Sequence, residues 1–197
     1  MSQANTSGLP NGNALVCLGS NATSQAGGPQ ETVRAAISSL EAGPMTLLAR
    51  SRLYVSPFMP RGAQPDVVNA VVSVATNLDP EALLACLHEI ETDFDRTRET
   101  RWSNRTLDLD LLTYNEKILP DQSTLREWVD LDAQSQRKLA PKELILPHPR
   151  MQDRAFVLVP AAEIAGEWVH PLFGKTIREL LAALPPEETA DIVALPG

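Results

Sequence analysis

A chain of 197 residues with 25 acidic and 17 basic side chains, net charge −8 at pH 7, has room for one domain with a sizeable core and too little for two. That acidity argues against a general nucleic-acid binder or a membrane-surface protein, whose partners are polyanions, so any anion site must be local. Cys17 and Cys86 lie far apart in apolar segments without ligand-like spacing, which points to buried, reduced thiols of a cytoplasmic protein rather than a disulfide or zinc site.

Residues 1–13 are polar and rich in Gly and Asn, with no basic start leading into an apolar run, and read as a disordered tail rather than a signal peptide. No apolar stretch reaches the length needed to cross a bilayer. "ALVCLGSN" runs apolar from Ala14 to Leu18 and stops at Gly19-Ser20-Asn21, as a strand entering a turn does. A helix follows from Pro29, with Val33, Ala36, Ile37 and Leu40 at helical spacing and Gly43-Pro44 as its stop. "MTLLARSRLYVS" reads as one strand, the proline-rich stretch from Pro57 to Asp66 as a loop, and Val67 to Ala75 as a β-branched strand. Asp79 caps a second helix that begins at Pro80 and carries Leu83, Leu84, Leu87 and Ile90 on its apolar stripe.

Two features then stand side by side. "DRTRETRWSNR" gathers Arg96, Arg98, Arg101 and Arg105 into a short loop of an otherwise acidic protein, and "RTLDLDLL" continues as a strand with two aspartates among leucines. Alternation puts Leu107, Leu109 and Leu111 on one face and Asp108 and Asp110 on the other, with the aspartates roughly 6 to 7 Å apart. At an effective dielectric near 20 their repulsion is about 2 to 3 kcal/mol. A solvated acidic face, an Arg–Asp salt-bridge network and a divalent-metal site for a polyphosphate all fit these residues, because carboxylates suit Mg²⁺ and guanidinium forks suit phosphate oxygens.

Residues 115–146 are polar and proline-containing and read as an insertion with one short helix around "LREWVDLDAQSQRK". "LPHPRMQDRAFVLVPAAEIA" leads from a turn into an apolar helix, a last helix spans Lys175 to Leu184, and residues 185–197 read as a weakly ordered tail. The element order predicts an α+β fold in a single domain over residues 14–184, a ferredoxin-like sheet with helices packed on it. Neither a GxxxxGK[ST] loop nor a kinase-type Gly-rich loop is present, so a phosphate site must be built from arginines and metal.

Taken together, "CLGSN", "SPF" with "QPDVVNAVV", "RWSNRTLDLDLL" and "LPHPRMQDRAFVLVP" resemble the 6-hydroxymethyl-7,8-dihydropterin pyrophosphokinase family over about Ala14 to Leu184. The resemblance implies transfer of pyrophosphate from ATP to a pterin alcohol in folate biosynthesis, with AMP leaving and no nucleic-acid or membrane partner, by a cytoplasmic monomer. It implies that Asp108 and Asp110 bind two Mg²⁺ ions, that Arg96, Arg98 and Arg105 act on the phosphates, and that Trp102 belongs to a mobile catalytic loop. ATP is expected to meet His88, Glu91, Arg96, Trp102, Arg105, His148 and Arg154. The pterin is expected to meet Ser56, Pro57, Met59, Asn69 and Phe156. His88, Val67 and the pair Ser103-Asn104 depart from the family pattern, Val67 by replacing an aromatic expected against the pterin. Another Mg²⁺-dependent nucleotide enzyme and a binding paralogue without turnover are the alternative readings.

Overall fold

The computed structural model describes residues 12–58, 61–94 and 106–196. Strand β1 (Gly12–Ser20) is followed by helix α1 (Pro29–Ala42), strands β2 (Met45–Arg50), β3 (Tyr54–Ser56) and β4 (Val67–Thr76), helix α2 (Pro80–Asp93) and strand β5 (Asp108–Tyr114). The remaining elements are α3 (Gln122–Val129), α4 (Ala133–Lys138), α5 (Ala155–Ala165), α6 (Ile177–Ala182), α7 (Pro186–Thr189) and β6 (Val193–Ala194).

The sheet has the order β5-β1-β4-β3-β6, with β2 also paired to β4. Every pairing is antiparallel. Because β4 lies between β1 and β2/β3, and β1 between β4 and β5, each of the two strand–helix–strand units straddles a strand of the other. Even-numbered residues of β1 and β4, among them Val16, Leu18, Ala70 and Val72, face the core under α1 and α2 with Leu107, Leu109 and Leu111. Leu15, Cys17 and Val71 face the opposite core with Leu112, Val157, Leu158 and Ala161 under α5 and α6. Burial on both faces explains why β4 reads as an almost unbroken apolar run.

Several expectations are corrected. β1 starts at Gly12, inside the stretch read as a tail. The single strand read from Met45 to Ser56 is two, β2 and β3, which pair with opposite halves of β4. Between them Ser51 donates its N–H to the Val71 carbonyl at 3.0 Å and accepts the Val71 N–H on its own hydroxyl at 3.0 Å, so a side chain takes over one rung of the ladder. Residues 115–146 hold two helices, α3 and α4, each opened by an aspartate cap, Asp121 and Asp132. A bridge between Leu119 and Leu146 closes their base. Residues 185–196 are not an unstructured end: β6 pairs with β3, and the Leu195 N–H donates to the Leu53 carbonyl at 2.8 Å.

Candidate functional site

Asp108 and Asp110 sit opposite Gly19 and Cys17 in the ladder, both half-buried, on the sheet face that α5 covers. The leucines that alternate with them point into the other core, with Leu107 and Leu109 at 0% and 2% exposure. Cys17 reports on the pair: its thiol pKa is pushed up first by burial, then by Asp110 and Asp108, against the opposing pull of Arg154.

Arg154, immediately before α5, brings its Nη1 to 3.6 Å from Asp110 Oδ2, with both side chains one-third exposed. Its guanidinium also lies 5.7 Å from the centre of the Phe156 ring. His148 is tied to β5 through its backbone N–H, which donates to the Leu112 carbonyl at 2.8 Å. Its Nδ1 accepts the Arg150 N–H at 3.1 Å, which leaves the proton of the neutral ring on Nε2. Burial, then Arg154 and Arg150, hold its pKa down to about 3, against a weaker upward pull from Asp108. Asp110, Arg154, Phe156 and His148 therefore converge on one end of this face.

Glu91, in the last turn of α2, is 2% exposed, and its Oε1 accepts the Leu109 N–H at 2.7 Å. The helix thus clamps the backbone between the two aspartates. His88 lies one turn earlier and is half-buried. Across the sheet, Ser56 and Asn69 are buried and joined by a 2.8 Å hydrogen bond, with Val67 and Pro57 half-buried beside them. A Cβ placed on Gly19 would lie 3.4 Å from Asn69 Oδ1 and 3.7 Å from Val67 Cγ1, so the bare glycine leaves that floor open. Met59, Arg96, Arg98, Arg101, Trp102, Ser103, Asn104 and Arg105 lie outside the described residues.

Sequence reasoning passed over Arg150 and Thr106. Thr106 Oγ1, Arg150 Nε and Gln152 Oε1 are buried at this end of the fold without a hydrogen-bond partner among the described residues. The only sequence signal for Arg150 was its place in the "PHPR" turn. A separate cavity of about 400 Å³, lined by Asn13, Ser73, Thr113, Glu116 and Trp168 among others, opens toward the far end of β1.

The donor set fits a hard cation. Two half-buried carboxylates share a face, and the described residues hold no group of three or more His, Cys, Asp or Glu side chains that could complete an all-protein cage. Mg²⁺ commonly takes one or two carboxylates and fills its shell with phosphate oxygens and water.

Fold and face together define a class: a mixed α/β single-domain protein whose antiparallel sheet presents an acidic pair beside a guanidinium and a neutral imidazole. Residues 15–166 match the family described as 7,8-dihydro-6-hydroxymethylpterin-pyrophosphokinase (HPPK), and the chain belongs to that family. It is 40% identical over 183 residues to the 2-amino-4-hydroxy-6-hydroxymethyldihydropteridine pyrophosphokinase of Pseudomonas aeruginosa, covering 92% of this chain and 96% of that one. The protein of the same description from Bacillus subtilis is 34% identical, over 77% of each chain. Among solved structures, an HPPK-DHPS in complex with substrates superposes with a TM-score of 0.61 at 16% identity, over 88% of this chain and 43% of that one. Wild-type HPPK-DHPS of Plasmodium falciparum gives 0.60 at 14%, over 90% and 45%. This chain thus spans less than half of those longer proteins, and the likeness to them concerns the fold. The protein is an ATP-dependent diphosphokinase of folate biosynthesis, and neither alternative reading is favoured.

Proposed function

We propose that pyrophosphoryl transfer runs on the α5 face of the sheet, with the phosphates of ATP over Asp108 and Asp110 and the pterin between β3, β4 and the start of α5. One observation carries this reading: two half-buried carboxylates share a face with Arg154, 3.6 Å from Asp110, and with the neutral ring of His148. Asp108 and Asp110 would hold two Mg²⁺ ions, which when bound supply charge neutralisation at the phosphate oxygens. The pterin hydroxymethyl oxygen attacks the β-phosphorus and its proton passes to solvent, the bond from that phosphorus to the α,β-bridging oxygen breaks with its electron pair going to that oxygen, and AMP departs.

The chain's own part is to bind and orient. Arg154 exchanges its loose contact with Asp110 for a phosphate oxygen, a charge-assisted bond of better geometry. His148, uncharged at neutral pH, donates from Nε2 to a phosphate oxygen. His88 and Glu91 border the nucleotide, Glu91 chiefly by holding β5. Arg96, Arg98, Trp102 and Arg105 are assigned to the phosphates by motif alone. Ser56, Pro57, Asn69 and Phe156 surround the pterin, with Phe156 against its ring plane, and Met59 is assigned to the pterin by motif alone.

The strand order supports reading the sheet as ferredoxin-like, with α5 and α6 added on its second face. We further read the domain expected over residues 14–184 as extended to 12–196 by β1 and β6, with 115–146 inserted in it, and the protein as a cytoplasmic monomer without nucleic-acid or membrane partners. No helix among the described residues is long and apolar enough to cross a membrane.

Release of AMP from ATP, Mg²⁺ and 6-hydroxymethyl-7,8-dihydropterin tests the site. Asp108→Asn and Asp110→Asn are each expected to lower it by at least about 100-fold, the scale of losing one electrostatic stabiliser. A near-normal rate at saturating Mg²⁺ in either variant removes the acidic pair from the mechanism.

A further inference from the structure

The Asn69 carboxamide has a settled orientation. Its amide nitrogen lies 3.1 Å from the Val67 carbonyl oxygen and 2.8 Å from Ser56 Oγ. A backbone carbonyl can only accept, so the atom facing it must be the NH₂ group, and a flipped amide would set two oxygens against each other. The NH₂ has two hydrogens, and Val67 and Ser56 take one each. What Asn69 has left to offer is Oδ1, an acceptor, beside the bare backbone of Gly19, where a Cβ would lie only 3.4 Å away. Both side chains are almost fully buried, Ser56 at 4% and Asn69 at 2% exposure, so water competes weakly for these bonds.

From this geometry we propose that Ser56 is a positioning residue: with the Val67 carbonyl it locks the Asn69 amide so that the substrate site presents an acceptor and reads an N–H donor edge of its ligand. This rests on the reading that Asn69 faces the pterin. It narrows the expectation that the pterin meets Asn69 to contact through Oδ1 alone, and it moves Ser56 from ligand contact to support. A pterin's pyrimidine edge carries 2-amino and N3–H donors, and these are the groups an acceptor-only Asn69 selects. Removing the Ser56 hydroxyl leaves one amide hydrogen unpaired and frees the group to turn, so the site loses affinity for the donor edge and also loses discrimination.

The test is pterin affinity by calorimetry in the presence of Mg²⁺ and a non-reactive ATP analogue, for 6-hydroxymethylpterin and its N3-methyl derivative, which lacks one donor. Ser56→Ala is expected to weaken pterin binding about 3- to 10-fold, the worth of one buried hydrogen bond, and to shrink the preference over the methylated compound. KM for ATP should stay near wild type, the melting temperature should fall by a few degrees for the buried amide hydrogen left unpaired, and Ser56→Thr, which keeps the hydroxyl, should restore affinity, preference and melting temperature. Loss of affinity with an unchanged preference would make Ser56 a direct ligand and overturn the proposal, as would unchanged affinity in Ser56→Ala. Asn69→Ala separates the two levels: if it binds pterin like wild type, Asn69 does not face the substrate and the underlying reading fails, whereas a weakened Asn69→Ala beside a normal Ser56→Ala rejects the positioning role alone.

Discussion

Among the described residues, the Arg154 guanidinium is held by two weak partners. Asp110 is 3.6 Å away in a contact one-third exposed on each side, and the Phe156 ring lies 5.7 Å from the guanidinium carbon. Neither contact is worth much at such exposure, so the side chain is free to turn to a stronger acceptor. Arg154→Lys keeps the charge but loses the planar fork and the stacking face. It should raise KM for ATP by about 10-fold with little change in melting temperature, measured by steady-state kinetics and thermal unfolding; an unchanged KM would leave Arg154 outside the ATP site. Val67 makes the opposite case. Its Cγ1 borders the open space above Gly19, and an aromatic pair is worth about 0.5 to 1.5 kcal/mol beyond area burial. Val67→Tyr should therefore tighten pterin binding by roughly 2- to 10-fold by calorimetry, and weaker binding would mean that the space is already filled. The alternation in "RTLDLDLL" was enough to separate the buried leucines from the aspartates, because side-chain direction in a strand is local. That Arg154 and His148 join them was legible only through the motif resemblance, since contact between β5 and the start of α5 is tertiary.

Polar clamps tie neighbouring elements to the site. Glu91 reaches from the last turn of α2 to the Leu109 N–H at 2.7 Å and fixes the short backbone link between the two aspartates. A hydrogen bond to a charged group contributes about 1.5 to 3 kcal/mol, and an orphaned buried donor costs a similar amount. Glu91→Ala should thus lower unfolding free energy by about 2 kcal/mol in urea titrations and speed hydrogen exchange at Leu109. Glu91→Gln, whose amide oxygen can still accept, should lose less than half of that. Equal losses in the two variants would show that the charge, not the clamp, matters. On the other side Glu163 of α5 accepts from the Arg52 backbone, the Arg52 guanidinium and the Tyr54 hydroxyl, fastening α5 to the start of β3. α1 and α2 were readable from their proline starts and apolar stripes, which are properties of the helix itself. The break between β2 and β3 was not, because the Ser51 hydroxyl stands in for a backbone group only once β4 lies alongside. Nor was β6, a two-residue strand whose only reason to exist is the edge of β3.

Across the whole molecule, two histidines set the response to acid. His170 is fully buried, its ring 5.7 Å from Trp168 and 4.5 Å from Phe173, and its Nδ1 accepts the Leu172 N–H at 3.2 Å. Its Nε2 has no hydrogen-bond partner among the described residues, and burial holds its pKa down to about 4 against an ordinary 6.5. His148 is depressed in the same direction, to about 3. In both, the unfolded chain takes up a proton at a pH where the folded chain does not. Stability is therefore complete above about pH 6.5 and falls as pH drops toward 4, by up to about 1.4 kcal/mol per pH unit from His170. The carboxylates of Asp121, Asp132, Glu163 and Glu179 are all held below their ordinary values, so their contributions fade only at lower pH. Urea unfolding at pH 7, 6 and 5 should give a falling free energy across this window. In His170→Asn, whose side-chain oxygen can still accept the Leu172 N–H but does not titrate, the protein should be less stable at pH 7 for want of packing, yet show a shallower decline from pH 6.5 to 5. A decline as steep as wild type would assign the acid sensitivity to His148 at the site, and a flat wild-type profile would mean that neither ring resists protonation in the folded protein.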